Sequence, residues 1–407
     1  MFKAAVGHGI DPDSIGAIAE AIEQCQQTLV GKIPQAGILM AAIDFDHASI
    51  LEYVQKIYPG ILLIGGTSVG EMSSSMAFQQ DSLTLMLFCS DDVTFRVGVG
   101  HHANEDPRGA ATAAIDQVLR GSPTISNTVL SQTVRPSTVT AENMKLCYTL
   151  CDGLGVDGAA LVKGLRVATN QTVPIFGGFT GDDYQFTGTY QFMGGEVLQN
   201  AVVVLTFSGD LNVSYGVATG QRPIGRKSTV TKSNGYTIHA IDGKPAKAFY
   251  ADCFGDAEVR IYEGSSFSRS IAVFEPGEEH FYLRSPNGEA NEDGSINFFG
   301  SVPEQATVQL VDSDCESLIR SAEDAFSKAR FAYPGEEPDA VLLVSCVSRM
   351  KNLGTQVHQE YSVVEDSVGN NVPNIGFYAY GEMSPFTEQP TAYFHNETFA
   401  ALLIGTR

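Results

Sequence analysis

The sequence predicts an α/β fold: repeated strand-helix-strand-helix-strand units with mixed, mainly parallel sheets, plus a mainly β insertion. Three observations lead there. Apolar strands alternate with amphipathic helical stretches, an apolar strand that runs into a glycine turn recurs three times, and the rhythm breaks once, between residues 209 and 304.

The recurring turns are "ILLIGGTSVGEM", "VPIFGGFTGDDY" and "VPNIGFYAYGEMSP", followed by the apolar strands "SLTLMLF", "AVVVLTF" and "TFAALLIG". The strand-ending and acid-bearing glycines pair as Gly65 with Gly70, Gly177 with Gly181, and Gly376 with Gly381. In the first unit, roughly 1–90, Asp11-Pro12 marks a helix start, Ile15, Ile18 and Ile22 recur at helical spacing, and "AGILMAAI" is the next strand. The second, 92–208, repeats this with "VGVG", Asp106-Pro107, the periodic Ala110, Ile115 and Val118, and "MKLCYTL". The third, 305–405, runs from "VQLVDSDCESLIRSAEDAF" to "AVLLVSC". Short alternating runs such as "YTIHAI" and "SIAVF", with a helix near "KPAKAFYADCF", make 209–304 the β insertion. The domains are therefore 1–208 with two units, 209–304, and 305–407 with the third.

A length of 407 residues suits two or three such domains. The formal charge of -22 repels nucleic acid and anionic lipid, so neither nucleic acid nor membrane is expected as a partner. No apolar run reaches the roughly 18 residues of a membrane span, and the N-terminus lacks a signal-peptide pattern. A cytoplasmic location is expected. The cysteines at 25, 89, 147, 151, 253, 315 and 346 form no C-x-x-C pair, which fits reduced thiols and no structural zinc.

Two motifs imitate active sites. Gly66-Thr67-Ser68-Val69-Gly70 has the spacing of a nucleophile elbow, yet the matching turns of the other units lack the serine, and loop-like sequence follows instead of a helix. "GVGHHA", from Gly98, satisfies a dinucleotide fingerprint, but the acid expected at the end of the next strand falls inside the predicted helix as Asp116. Both are read as glycine-permitted turns.

Polar chemistry concentrates in the third unit. Cys346 and Arg349 follow its first strand, His358 and Glu360 lie in the next helical stretch, Tyr378, Tyr380, Gly381 and Glu382 end the next strand, and His395, Asn396 and Thr398 precede the last. Ligands in open α/β sheets bind at the carboxyl ends of strands, where these side chains converge in this reading. Bland roles stand beside each: a core thiol for Cys346, an ion pair of Arg349 with Glu360, core packing for the tyrosines, backbone capping for Glu382 and Glu71.

"AVLLVSCVSRMKNLG", "VPNIGFYAYGEMSP" and "FHNETFAALL" resemble the C-terminal half of a FIST domain, and "LLIGGTSVGEM" with "SLTLMLF" resembles its N-terminal half. The resemblance implies an intracellular sensory module that binds a small ligand and signals by protein contact to a histidine kinase or a cyclic-di-GMP enzyme in trans. It implies no catalysis. Amino acids, and haem with nitric oxide, are the ligand classes it brings in. The family pattern reaches Cys346, Arg349, Glu360, Gly376, Gly381, Glu382, His395, Asn396 and Thr398. The expected ligand set is Cys346, Arg349, Glu360, Gly381, Glu382, His395 and Asn396 with Tyr378 and Tyr380, read from their alternation on one sheet face, as pocket wall. His395 is the candidate axial ligand of a non-covalent haem. Arg349 and Glu382 would hold the two charged ends of an amino acid. The competing class is an enzyme, either a Ser68 hydrolase or a thiol enzyme pairing Cys346 with His358 or His395.

Overall fold

A computed structural model describes residues 2–121, 139–254, 270–277, 280–368, 372–386 and 389–406. Three six-stranded sheets share one plan. The first orders its strands Phe2–Gly9, Leu83–Ser90, Ala36–Ala42 and Leu62–Ser68; the second, Val93–His101, Ala201–Gly209, Met144–Cys151 and Ile175–Phe179; the third, Asn212–Ala218, Phe399–Gly405, Ala340–Cys346 and Asn374–Ala379. Each is completed by a hairpin from another unit. Residues 191–198 of the second unit join the first sheet, 382–395 of the third join the second, and 71–79 of the first join the third.

The repeated α/β architecture matches the expectation, with two refinements. Within each unit the helix-linked strands run in one direction, but only one pair per sheet is hydrogen-bonded in parallel, such as Ala36–Ala42 with Leu62–Ser68. The return strand slots between the first two and pairs antiparallel with both, so antiparallel ladders dominate. Second, the edge strand of the third unit is Asn212–Ala218, not the strand at Val308. Thr307–Asp312 belongs to the sheet of the insertion, where it pairs with Arg222–Asn234 and Ile271–Phe274. The insertion thus interrupts the third unit between its first strand and its first helix, Cys315–Ala332, which separates in sequence two elements that are adjacent in space.

The inner faces of all three sheets meet in one core, with Phe88, Phe95 and Phe207 in mutual ring contact and Tyr148, Phe176, Leu342 and Phe377 beside them. Helices Ser14–Leu29, His47–Ile57, Pro107–Arg120, Gly158–Ala168, Cys315–Ala332 and Val357–Val368 cover the outer faces. Aspartates 13, 46, 106, 157 and 314 cap helix starts through their carboxylates, as side-chain acceptors should.

"VGHG" and "VGVG" acquire a packing reason. Gly98 and Gly100 lie within strand Val93–His101, where a Cβ on Gly100 would fall 1.9 Å from the Ala110 carbonyl oxygen of the covering helix. Gly7 meets Ala21 at the same distance, and Gly216 meets Ala325 at 2.1 Å. Strand and helix touch backbone to backbone at these positions. Gly100→Ala is therefore expected to cost about 1–3 kcal/mol or more through overpacking, read as a lower denaturation midpoint with an unchanged slope.

Candidate functional site

Three strand ends, those of Leu62–Ser68, Ile175–Phe179 and Asn374–Ala379, meet around the junction of the units. The N–H of Val69 donates to the Tyr378 carbonyl (3.2 Å), that of Tyr380 to Phe179 (3.0 Å), and that of Gly181 to Thr67 (3.0 Å), closing a ring of backbone bonds. Strand register then makes Glu71, Gln191 and Glu382 equivalent, each opening an exchanged hairpin and each fully buried. The acid-bearing turn of the second unit is not the counterpart its sequence suggests. Residues 182–189 are extra there, and Gln191 occupies the position of the glutamates.

In the third unit the predicted residues separate into two nodes. Arg349 and Glu360, both fully buried, form an ion pair with the Arg349 Nε and Nη2 at 2.8 and 2.7 Å from Glu360 Oε1. Nη1 donates to the Thr219 carbonyl and Nη2 to that of Leu318, while Ser345 and Tyr378 hydroxyls donate to Glu360 Oε2. Every guanidinium nitrogen is occupied. The arrangement ties the first helix of the unit to its sheet, and Arg349 has no unengaged nitrogen for one end of an amino acid.

The second node is Cys346, Glu382 and Thr398. Cys346 ends strand Ala340–Cys346; its sulfur accepts from Ser348, and burial, then the Glu382 charge, push the thiol well above its ordinary range. Glu382 Oε2 accepts from the N–H and hydroxyl of Thr398 at 3.0 and 2.8 Å. Its Oε1 has no hydrogen-bond partner; the Cys346 thiol lies beside the carboxyl and favours its charge without an aligned bond to that atom. Burial dominates and raises Glu382 to about 8, so at neutral pH it is mostly an uncharged acid.

His395 sits across the hairpin from Glu382. Its Nε2 is 2.8 Å from the Ser384 carbonyl, an acceptor only, which puts the proton on Nε2 and the lone pair on Nδ1. Nδ1 and the Asn396 Oδ1 are buried without partners. Burial holds the imidazole neutral, its pKa lowered to about 4. A haem does not fit this arrangement: His395 has no exposed surface, and its ring meets Phe386 edge-on with centroids 4.4 Å apart.

Gly381 contributes backbone only; its carbonyl accepts from Phe179, and a Cβ there would fall 2.6 Å from the Phe394 ring. Tyr380 turns toward the extra residues of the second unit. Its hydroxyl donates to Asp182 and accepts from the Tyr184 N–H, its ring stacks on Phe186, and the Tyr184 hydroxyl reaches the Val347 carbonyl at 2.9 Å. Residues 182–189 thus form a strap over the carboxyl ends of the third sheet. Asp183, Tyr184 and Phe186 adopt positive φ of 51°, 60° and 52°, each costing on the order of 1 kcal/mol in an L-residue. The signal for this strap was the longer spacing after Gly181, which the match of its acids to the other turns concealed.

Ser68 does not sit on an elbow. It ends strand Leu62–Ser68, is 1 % exposed, and leads to strand Glu71–Ser73. Its hydroxyl donates to Glu71 Oε1, and Ser82 donates to Oε2. Ser82 therefore accepts from His8 Nε2, and His8 Nδ1 accepts from Ser73. A buried Ser73-His8-Ser82-Glu71-Ser68 chain results, with Glu71 raised to about 7 and His8 lowered to about 4, both by burial. Cys147 and Cys151 are free and packed in the core, and among the described residues no group of three metal-ligating side chains occurs. An open cleft of about 570 Å³, edged by Glu142, Lys145, Tyr215 and Pro334, lies at the amino ends of the strands, and none of the predicted residues lines it.

The FIST N domain pattern matches residues 35–244 and the FIST C domain pattern residues 246–385, and the chain belongs to the FIST family. FIST domains are generally sensor domains of signal transduction. An uncharacterized protein of Mycobacterium tuberculosis is 24 % identical over 393 residues, covering 94 % of this chain and 95 % of that protein. Another, from Methanocaldococcus jannaschii, is 26 % identical over 177 residues, or 39 % of this chain and 33 % of that one. A solved cyanuric acid hydrolase from A. caulinodans aligns over 100 % of both chains with a TM-score of 0.40 and 8 % identity. No helix among the described residues is long and apolar enough to cross a membrane.

Folded, Glu382 keeps its proton up to about 8, whereas its ordinary pKa is 4.5. Between those values the unfolded chain carries fewer protons at this group, so its contribution to stability falls as pH rises. His8 and His395, lowered from 6.5 to about 4, contribute the opposite slope up to about 6.5, and the net decline is expected above that. Glu71 adds to the same slope up to about 7. Glu382→Gln should flatten part of this decline, measured as denaturant midpoints across that window, with a persistent full slope assigning the decline elsewhere.

Proposed function

We propose that this protein is a small-ligand sensor whose ligand engages the 382–398 hairpin after the 182–189 strap moves. One observation carries the reading: Glu382 Oε1, His395 Nδ1 and Asn396 Oδ1, on one hairpin, are buried without hydrogen-bond partners. Each such atom costs about 1–3 kcal/mol in the closed state, which a ligand bearing matching donors would recover. A ligand with that differential affinity shifts the closed and open populations and changes the surface offered to a partner. The strap's positive-φ residues, and its position across the unit boundary against Tyr380 and Val347, support it as the moving element.

The ligand class supported best is an amino acid or similar amine-bearing metabolite, because His395 Nδ1 and Asn396 Oδ1 are acceptors, and Glu382, uncharged at neutral pH in the closed state, becomes a third acceptor when an ammonium group beside it favours its charge. Haem at His395 would demand repacking of Phe386. The partner in this reading is a histidine kinase or a cyclic-di-GMP enzyme met in trans, in keeping with the family's place in signal transduction. Non-catalytic operation is supported by the sealed Ser68 and by a Cys346 thiol held neutral without a histidine partner.

Thermal-shift screening of free amino acids should yield a hit that stabilises the wild type by about 2.7 kcal/mol at a hundredfold excess over Kd, and stabilises Asn396→Ala far less. A hit insensitive to that substitution would move the site away from the hairpin. Haem titration of wild type and His395→Ala should give superimposable Soret spectra, and a band that moves in the variant would restore haem at that histidine.

A further inference from the structure

We propose that Arg284 forms an oxyanion-binding site, where the insertion meets strand Ala392–His395, for a small molecule carrying a carboxylate or a phosphate. Arg284 ends strand Tyr282–Arg284 and is 3 % exposed. Its Nε donates to the Ser301 carbonyl at 3.1 Å, and its Nη1 to those of Leu283 and Phe394 at 2.8 and 3.1 Å. Nη2 has no partner among the described residues, and no carboxylate pairs with the guanidinium there.

Arg349 and Arg284 differ in their counter-charge. Both arginines are buried, but Arg349 has Glu360, whereas Arg284 is met only by neutral carbonyls and by the rings of Tyr282 and Phe394, at 4.2 and 5.1 Å. A buried cation without a counter-charge is costly, and a chain with 47 acidic residues has no shortage of carboxylates. The acids facing it are engaged elsewhere. Asp157 caps the Gly158–Ala168 helix through the N–H groups of Ala159 and Ala160, and Glu275 receives the Tyr282 hydroxyl at 3.1 Å.

The surroundings extend the same chemistry. Arg284 lies near enough to His395 for its charge, after burial, to disfavour protonation of that ring. At the rim, the Arg166 guanidinium lies 5.7 Å over the Tyr393 ring, which also meets His280 and Phe386. Positive charge framed by aromatic faces suits an anionic group on a flat or apolar body, held by the fork of Arg284. The site uses neither Glu382 nor the strap and does not rest on the sensor reading.

Calorimetric titration of the full chain with sodium benzoate and with sodium phosphate, against sodium chloride at matched ionic strength, tests it. Saturable binding of benzoate alone assigns a carboxylate ligand, and of phosphate alone a phosphate ligand. Arg284→Gln should weaken that binding about tenfold or more, as the loss of a charged hydrogen bond implies, and Arg166→Gln by less. If Arg284→Gln does not fold, Arg284→Lys decides, because it retains the charge and loses the fork: weakening supports the site and unchanged affinity overturns it. Asn396→Ala should leave the anion binding intact, so failure of the hairpin reading and failure of this one register separately. Absence of saturable binding by either anion to the wild type overturns the proposal.

Discussion

The cyclic exchange of hairpins is the constraint on which the rest of the structure depends. No unit completes its own sheet: the edge of each third strand is covered by a hairpin that another unit supplies. An exposed strand edge invites non-specific pairing, and here the chain closes all three of these edges against itself. The same exchange brings Thr67, Phe179 and Tyr378 into one ring of backbone bonds and drives the opening residue of each hairpin, Glu71, Gln191 or Glu382, into the interior.

Placing carboxyl groups at such sealed positions has different outcomes in the different units. Glu71 receives two serine hydroxyls, and Gln191 donates to Thr180 and accepts from the Ala201 N–H. Glu382 has Thr398 on one oxygen and an unaligned thiol beside the other. The symmetry of the backbone is therefore broken by chemistry, and the incompletely satisfied copy is the one under the strap. Buried polar groups in folded proteins are normally paired, and in the third unit Glu382 Oε1, His395 Nδ1 and Asn396 Oδ1 are not.

Much of this was legible along the chain. The three glycine turns, the Asp-Pro helix starts and the alternation of strand and helix signals all correspond to real elements, because they rest on local backbone preference and on burial of one face. Adjacency was less legible. Asn212–Ala218 could not be assigned to the third unit, because the insertion removes it from its helix by about a hundred residues and only its pairing with Phe399–Gly405 restores it. The predicted ligand residues divide between separate environments: Arg349 and Glu360 satisfy one another, Tyr380 turns to Asp182, His395 packs on Phe386, and the arginine without a carboxylate is Arg284 in the insertion.

The sequence by itself determined the repeated α/β plan, the family, and the concentration of polar groups in the last unit, since periodicity and turn chemistry are local properties. Only the tertiary structure decided which unit completes which sheet, that Gln191 and not an aspartate stands in the second copy, and which buried groups lack partners. Those are properties of pairs distant in the chain. Whether a buried charge is satisfied depends on what another segment brings to within hydrogen-bond distance, and no single stretch of sequence contains both partners.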